Sequence, residues 1–119
     1  MPGPHLLIDH RGDLSVTDPQ ALETAMRDAA GVAGATVLSA AVHLLPGGAG
    51  VSGALVLAEG HITVRSWAEK GYTAFDVFIP GEGLGKKAAD HLARALLPDW
   101  TQIRAVTRNS FAPLPPAAS

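Results

Sequence analysis

An α+β fold is what the hydrophobic patterning of this chain predicts: an α/β sandwich, a mainly antiparallel β-sheet with two helices packed on one face. Three observations carry that expectation. Six short stretches alternate apolar with polar residues or run apolar between turn signals. Two longer stretches repeat their apolar residues at helical spacing. Glycine or proline punctuates the joins. At 119 residues the chain supports a single core, with no internal repeat and no second domain. Residues 1–110 are expected to form that domain. The proline-rich FAPLPPAAS at 111–119 is expected to be a disordered tail.

The elements follow in order. HLLID, from His5 to Asp9, reads as a strand. Asp18 and Pro19 open a helix as N-cap and first helical residue. Leu22, Ala25, Met26, Ala29 and Val32 form its apolar stripe, and Gly31 or Gly34 ends it. A second strand covers Thr36 to Leu45 and enters the turn PGGAG, Pro46 to Gly50. Val51–Ala58 and His61–Trp67 make a strand pair, and Thr73–Ile79 is a further strand. A helix from Leu84 to Leu97 turns Leu84, Ala88, His91, Leu92, Ala95 and Leu96 inward before Pro98 stops it. Gln102–Thr107 adds the last strand.

Composition narrows the classes of function. A net charge of −2 with scattered lysines and arginines gives no basic stripe, so no nucleic-acid partner is expected. The absence of cysteine removes disulfides, thiolate catalysis and cysteine metal sites, and fits a reducing cytoplasm. No signal peptide or membrane span is legible, so no membrane partner is expected. The five histidines lack metal-ligand spacing, and no metal site is expected. GEGLGKK lacks the phosphate-loop spacing, and GVSG lies in a strand-like run without a following helix, unlike a nucleophile elbow.

Strand alternation concentrates the chemistry. In HITVRSW, His61, Thr63, Arg65 and Trp67 share one face, while Ile62, Val64 and Ser66 share the other. The apolar pair should meet the helices. Asp76 and Phe78 are in phase on the next strand, and the preceding strand offers Ser52, Gly53 and the terminal Glu59. If these strands are neighbours, Ser52, His61, Arg65, Trp67, Asp76 and Phe78 converge on one side. Aromatics with paired charges on a sheet face also make a surface that a second subunit could cover.

These residues carry a resemblance. HLLID, ALETAMRDAAGVAGATVLSAAVH, the GVSG turn, LAEGHITVRSWAEKGYTAFDVF and the closing strand are similar to the small bacterial S-adenosylmethionine decarboxylases, over about residues 5 to 107. The family pattern in the central block is E-S-H-I-x-I-H-T-W-P-E-x-G-Y-A-x-x-D-V-F-T-C-G. Glu59, His61, Ile62, Trp67, Glu69, Gly71, Tyr72, Asp76, Val77, Phe78 and Gly81 match it. The resemblance implies the family's sandwich and a homodimer with sites near the interface. It also implies S-adenosylmethionine as substrate or ligand, with Glu69 near the ribose. Leu45 stands about where the family's adenine-stacking phenylalanine belongs.

The family cleaves its own chain before the serine of E-S-H, and that serine becomes a pyruvoyl group. Here the position is Gly60. The histidine of I-H-T-W is Arg65 and the cysteine of T-C-G is Pro80, while Ser52, also linked to processing, remains. The expectation is an intact chain with no pyruvoyl group and no other cofactor. S-adenosylmethionine carries its own leaving group, so chemistry at Cγ needs no electron sink. Attack by Cα, the amine or the carboxylate would give 1-aminocyclopropane-1-carboxylate, azetidine-2-carboxylate or homoserine lactone. Arg65 is the candidate clamp for the substrate carboxylate. His61, Glu69 and Tyr72 are candidate bases, and Trp67 or Phe78 could face the sulfonium. The first reading is a 1-aminocyclopropane-1-carboxylate synthase; the alternative is a regulator that binds S-adenosylmethionine or a polyamine and pairs with an active partner. A third reading keeps pyruvoyl chemistry through cleavage at Ser52, Thr63 or Ser66.

Overall fold

A computed structural model of the chain describes residues 3–13, 16–81 and 83–108. The segment 111–119, expected above to be a disordered tail, lies outside the described residues. The chain runs β1 (Gly3–Arg11), α1 (Pro19–Val32), β2 (Val37–Leu44), β3 (Val51–Leu57), β4 (His61–Trp67), β5 (Tyr72–Phe78), α2 (Leu84–Arg94) and β6 (Trp100–Arg108). One six-stranded sheet has the order β2-β3-β4-β5-β1-β6, and every neighbouring pair is antiparallel. Both helices pack on one face of it.

That face is set by the alternation of the strands. Leu6 and Ile8 of β1, Leu55 of β3, Ile62 and Val64 of β4, and Phe75 and Val77 of β5 are buried against the helices. Helix α1 begins where Asp18 Oδ1 accepts the Ala21 N–H at 3.1 Å, with Pro19 inside the first turn. It buries Leu22, Ala25, Met26, Ala29 and Ala30. Val32, expected in the stripe, is 53% exposed, because the buried stripe continues through Ala29, Ala30 and Ala33 and leaves Val32 on its flank. Of the two candidate stops, Gly34 closes the end, at φ +73° with its N–H on the Gly31 carbonyl.

Helix α2 is shorter than its periodicity suggests. It ends at Arg94, Ala95 is extended, and Leu96 and Leu97 take left-handed φ values of +66° and +46°. Pro98 disfavours the right-handed helical region for the residue before it. The buried stripe is Gly85, Ala88, Ala89, Leu92 and Ala93, with Leu84, Ala95 and Leu96 packed at its margin and His91 only half-buried. His10, on the inward face of β1, places Nε2 2.7 Å from the Leu92 carbonyl and so takes up an acceptor at the helix end.

A second inward polar side chain also makes buried hydrogen bonds. Ser66 is fully buried; its Oγ accepts the Val51 N–H at 2.8 Å and donates to the Val16 carbonyl at 2.6 Å. Both of its hydrogen-bonding capacities are therefore used in structure. Among the described residues no helix is long and apolar enough to cross a membrane.

Candidate functional site

The face of the sheet away from the helices carries the chemistry, and the register arranges it in rows across the strands. One row reads Val56, His61, Phe78, His5, Val106. The next is Ala54, Thr63, Asp76, Leu7, Arg104; the next is His43, Ser52, Arg65, Ala74, Asp9, Gln102. Trp67, Tyr72, Arg11 and Trp100 complete the far end. Ser52, His61, Arg65, Trp67, Asp76 and Phe78 thus lie on one face, as the alternation implied.

They do not form one cluster: two groups stand at opposite ends, with Asp76 in a row between them. At one end His61, Phe78 and His5 make a triangle of rings, with centroids 5.7 to 6.0 Å apart. Arg108 lies 5.1 Å from the Phe78 centroid, and His5 Nε2 is buried with no hydrogen-bond partner among the described residues. Glu59, Gly60 and Pro80 border this end; Glu59 Oε1 accepts the Thr36 N–H at 3.0 Å. At the other end stand Ser52, Arg65, Trp67 and Tyr72, with Glu69 exposed in the 3₁₀ turn between β4 and β5. Leu45 lies beside this second group, its N–H on the Gly50 carbonyl. Six residue steps of β4, about 20 Å at the usual rise, separate His61 from Trp67.

In the second group the Arg65 guanidinium lies 4.4 Å from the Trp67 ring and donates to the Ser66 carbonyl. Trp67 stacks on Tyr72 at 5.3 Å and 25°. The Tyr72 hydroxyl donates to Asp9, whose other oxygen lies 3.2 Å from Arg104 Nη2. Burial first, then the hydrogen bond and charge of Asp9, push the Tyr72 phenol up to about 12, against a smaller opposing pull from Arg104 and Arg11. Tyr72 therefore stays protonated at neutral pH, its hydroxyl proton held by Asp9, and does not serve as the base.

His5, Asp9, Arg11, Arg104 and Arg108 also stand on this face, beyond the residues that the alternation of the central strands nominates. Their signal was present: His5, Leu7, Asp9 and Arg11 alternate with Leu6, Ile8 and His10, a polar-bearing face inside a strand read only for its apolar content.

Gly60 can be tested directly for a side chain. A Cβ built there would lie 3.0 Å from the Phe78 carbonyl carbon and closer still to its oxygen, inside the contact distance real Cβ atoms keep. The residues present do not fit a pyruvoyl group: residue 60 has neither a hydroxyl nor space for one in this backbone. Among the described residues no group of three or more histidines or carboxylates could hold a metal ion.

Comparison with known proteins bears on this site. The family model described as S-adenosylmethionine decarboxylase matches residues 4–109. The chain belongs to the S-adenosylmethionine decarboxylase family. Its relatives include the S-adenosylmethionine decarboxylase proenzyme of Thermotoga petrophila, 41% identical over 98 residues, covering 79% of this chain and 74% of that one. The proenzyme of Thermomicrobium roseum is 37% identical over 87 residues, covering 73% and 75%. The crystal structure of the adenosylmethionine decarboxylase from Aquifex aeolicus superposes with a TM-score of 0.76 at 22% identity over 87% of each chain, which supports the shared fold.

Proposed function

We propose that this member of the S-adenosylmethionine decarboxylase family binds S-adenosylmethionine and cyclises its aminobutyrate portion without a pyruvoyl group, as a 1-aminocyclopropane-1-carboxylate synthase. The observation that carries the reading is Gly60, packed against the Phe78 carbonyl on a chain whose open face keeps His61, Trp67, Asp76 and Phe78 of the family pattern. A base removes the Cα proton while Cα attacks Cγ. The Cγ–S bond breaks, its electrons pass to sulfur, and methylthioadenosine departs. Bond formation and departure in one step avoid a free carbanion.

Arg65 grips the substrate carboxylate, which removes that group as a nucleophile and draws charge from the adjacent carbon. Its hydrogen bond to Ser66 leaves other N–H donors for a ligand. Positioning of this kind supplies up to about 7–11 kcal/mol of a barrier. Trp67 is flanked by Arg65 and Tyr72, and Phe78 by Arg108, His5 and His61, so either ring would have to give up a neighbour to face the sulfonium. With Tyr72 protonated, His61 and Glu69 remain as acceptors of the proton. They border opposite ends of β4, and a homodimer closed across the open face would set one copy's acceptor against the other's Arg65. Ser52, beside Arg65, Asp76, mid-face between Thr63 and Leu7, and Glu59, Leu45 and Pro80 at the margins complete the proposed binding surface. A cytoplasmic setting fits a chain without cysteine.

A second reading has its own support: Arg65 is already engaged by an indole and a carbonyl, as in a regulator that binds S-adenosylmethionine without turning it over. Incubation of the purified protein with S-adenosylmethionine, followed by mass spectrometry, separates the two. Methylthioadenosine with the cyclopropane amino acid supports the synthase. Azetidine-2-carboxylate or homoserine lactone reassigns the nucleophile, binding without turnover supports the regulator, and CO₂ with a cleaved chain refutes both.

A further inference from the structure

Tyr72 belongs to a line of contacts that crosses four strands. Arg104 of β6 lies 3.2 Å from one oxygen of Asp9 on β1, and the other oxygen accepts the Tyr72 hydroxyl from β5. The Tyr72 ring stacks on Trp67 of β4, and the Trp67 ring lies under the Arg65 guanidinium. Arg11 approaches Tyr72 at 5.8 Å from its centroid. Each link restricts the next. An indole on an open sheet face has several rotamers, and a stacked ring favours one of them. A guanidinium on a long stem loses much freedom on ordering, and the indole face offsets part of that loss.

We infer that Asp9 and Tyr72 are positioning residues for Arg65: the carboxylate anchors the phenol, the phenol ring fixes Trp67, and the indole sets the height of the guanidinium above β4. The inference rests on the reading of Arg65 as the carboxylate clamp. A merely structural Asp9–Tyr72 pair would alter stability alone. A positioning pair alters how well the protein tells a carboxylate from its absence.

The test compares S-adenosylmethionine with decarboxylated S-adenosylmethionine by calorimetric titration of the assembled protein. A charge-assisted clamp favours the carboxylated ligand by about tenfold to a hundredfold, and Arg65→Ala removes that preference. Asp9→Asn and Tyr72→Ala each reduce it by about 3- to 10-fold while affinity for the decarboxylated ligand stays level. Tyr72→Phe keeps the stacked ring, so it loses less than Tyr72→Ala and guards against misfolding as the cause. If Arg65→Ala removes the preference but the Asp9 and Tyr72 variants leave it intact, the positioning role is wrong and the clamp stands. If Arg65→Ala also leaves it intact, or neither ligand binds, the clamp itself fails and the inference with it.

A ligand-free measurement reads the first link. Tyr72 is the chain's one tyrosine, so ultraviolet titration reports its phenol without assignment. Asp9→Asn should bring its ionisation down towards the ordinary value of about 10. Identical titrations in wild type and Asp9→Asn would remove the anchor from the scheme.

Discussion

At residue 60 two properties coincide: no hydroxyl for self-cleavage, and a Phe78 carbonyl filling the space a side chain would need. Gly60→Ser should therefore destabilise the fold by about 1–3 kcal/mol, the usual cost of overpacking. It should also remain one polypeptide in intact-mass spectrometry, since the family resemblance implies a histidine for self-cleavage where this chain has Arg65. The missing hydroxyl was legible in the sequence; the crowding was not, because it depends on the register that sets His61 opposite Phe78. Ser66 teaches the converse. Its sequence offers a spare nucleophile, yet burial commits its oxygen to Val51 and Val16. Ser66→Ala leaves those two backbone groups without their partner and should cost about 1–3 kcal/mol, read as a lower urea midpoint with an unchanged slope.

Among the elements, the caps make the most direct claims. Asp18→Ala should lower stability by about 1 kcal/mol through loss of the bond to the Ala21 N–H, measurable by urea unfolding. Helix α2 carries a pH dependence through its contact with β1. Burial, partly offset by the Leu92 hydrogen bond, holds the His10 imidazole below the usual histidine value. The unfolded chain then takes up the proton first, at a pH of about 6.5. Stability is complete above that pH and falls as pH drops towards the folded-state value. Urea midpoints at pH 7.5 and pH 5.5 should differ in that direction, and His10→Gln should flatten the difference. Helix existence and the Asp18 start were readable from caps and periodicity. The early end of α2 was less so: a continuing apolar period concealed the conflict with Pro98 that turns Leu96 and Leu97 left-handed.

For the molecule as a whole, the one-sided sandwich was legible because alternation and helical spacing agree along the chain. Strand order was not, since it places β1 between β5 and β6 through contacts distant in sequence, and Asp9 meets Tyr72 only by that order. The same order leaves a broad face bearing Arg11, Arg65, Arg104 and Arg108 among four aromatic side chains, with the helices all on the other side. Closure of that face by a second copy should give sedimentation equilibrium a species of twice 12.2 kDa; a monomer at micromolar concentration would oppose the shared site. β6, exposed along its whole length, holds to the sheet through β1 alone, with Gly3 opposite Arg108. β1 and β6 are the first and last strands in chain order, with every other element between them. The sheet therefore keeps a raw flank until β6 docks, and its assembly completes by long-range closure rather than strand-by-strand growth.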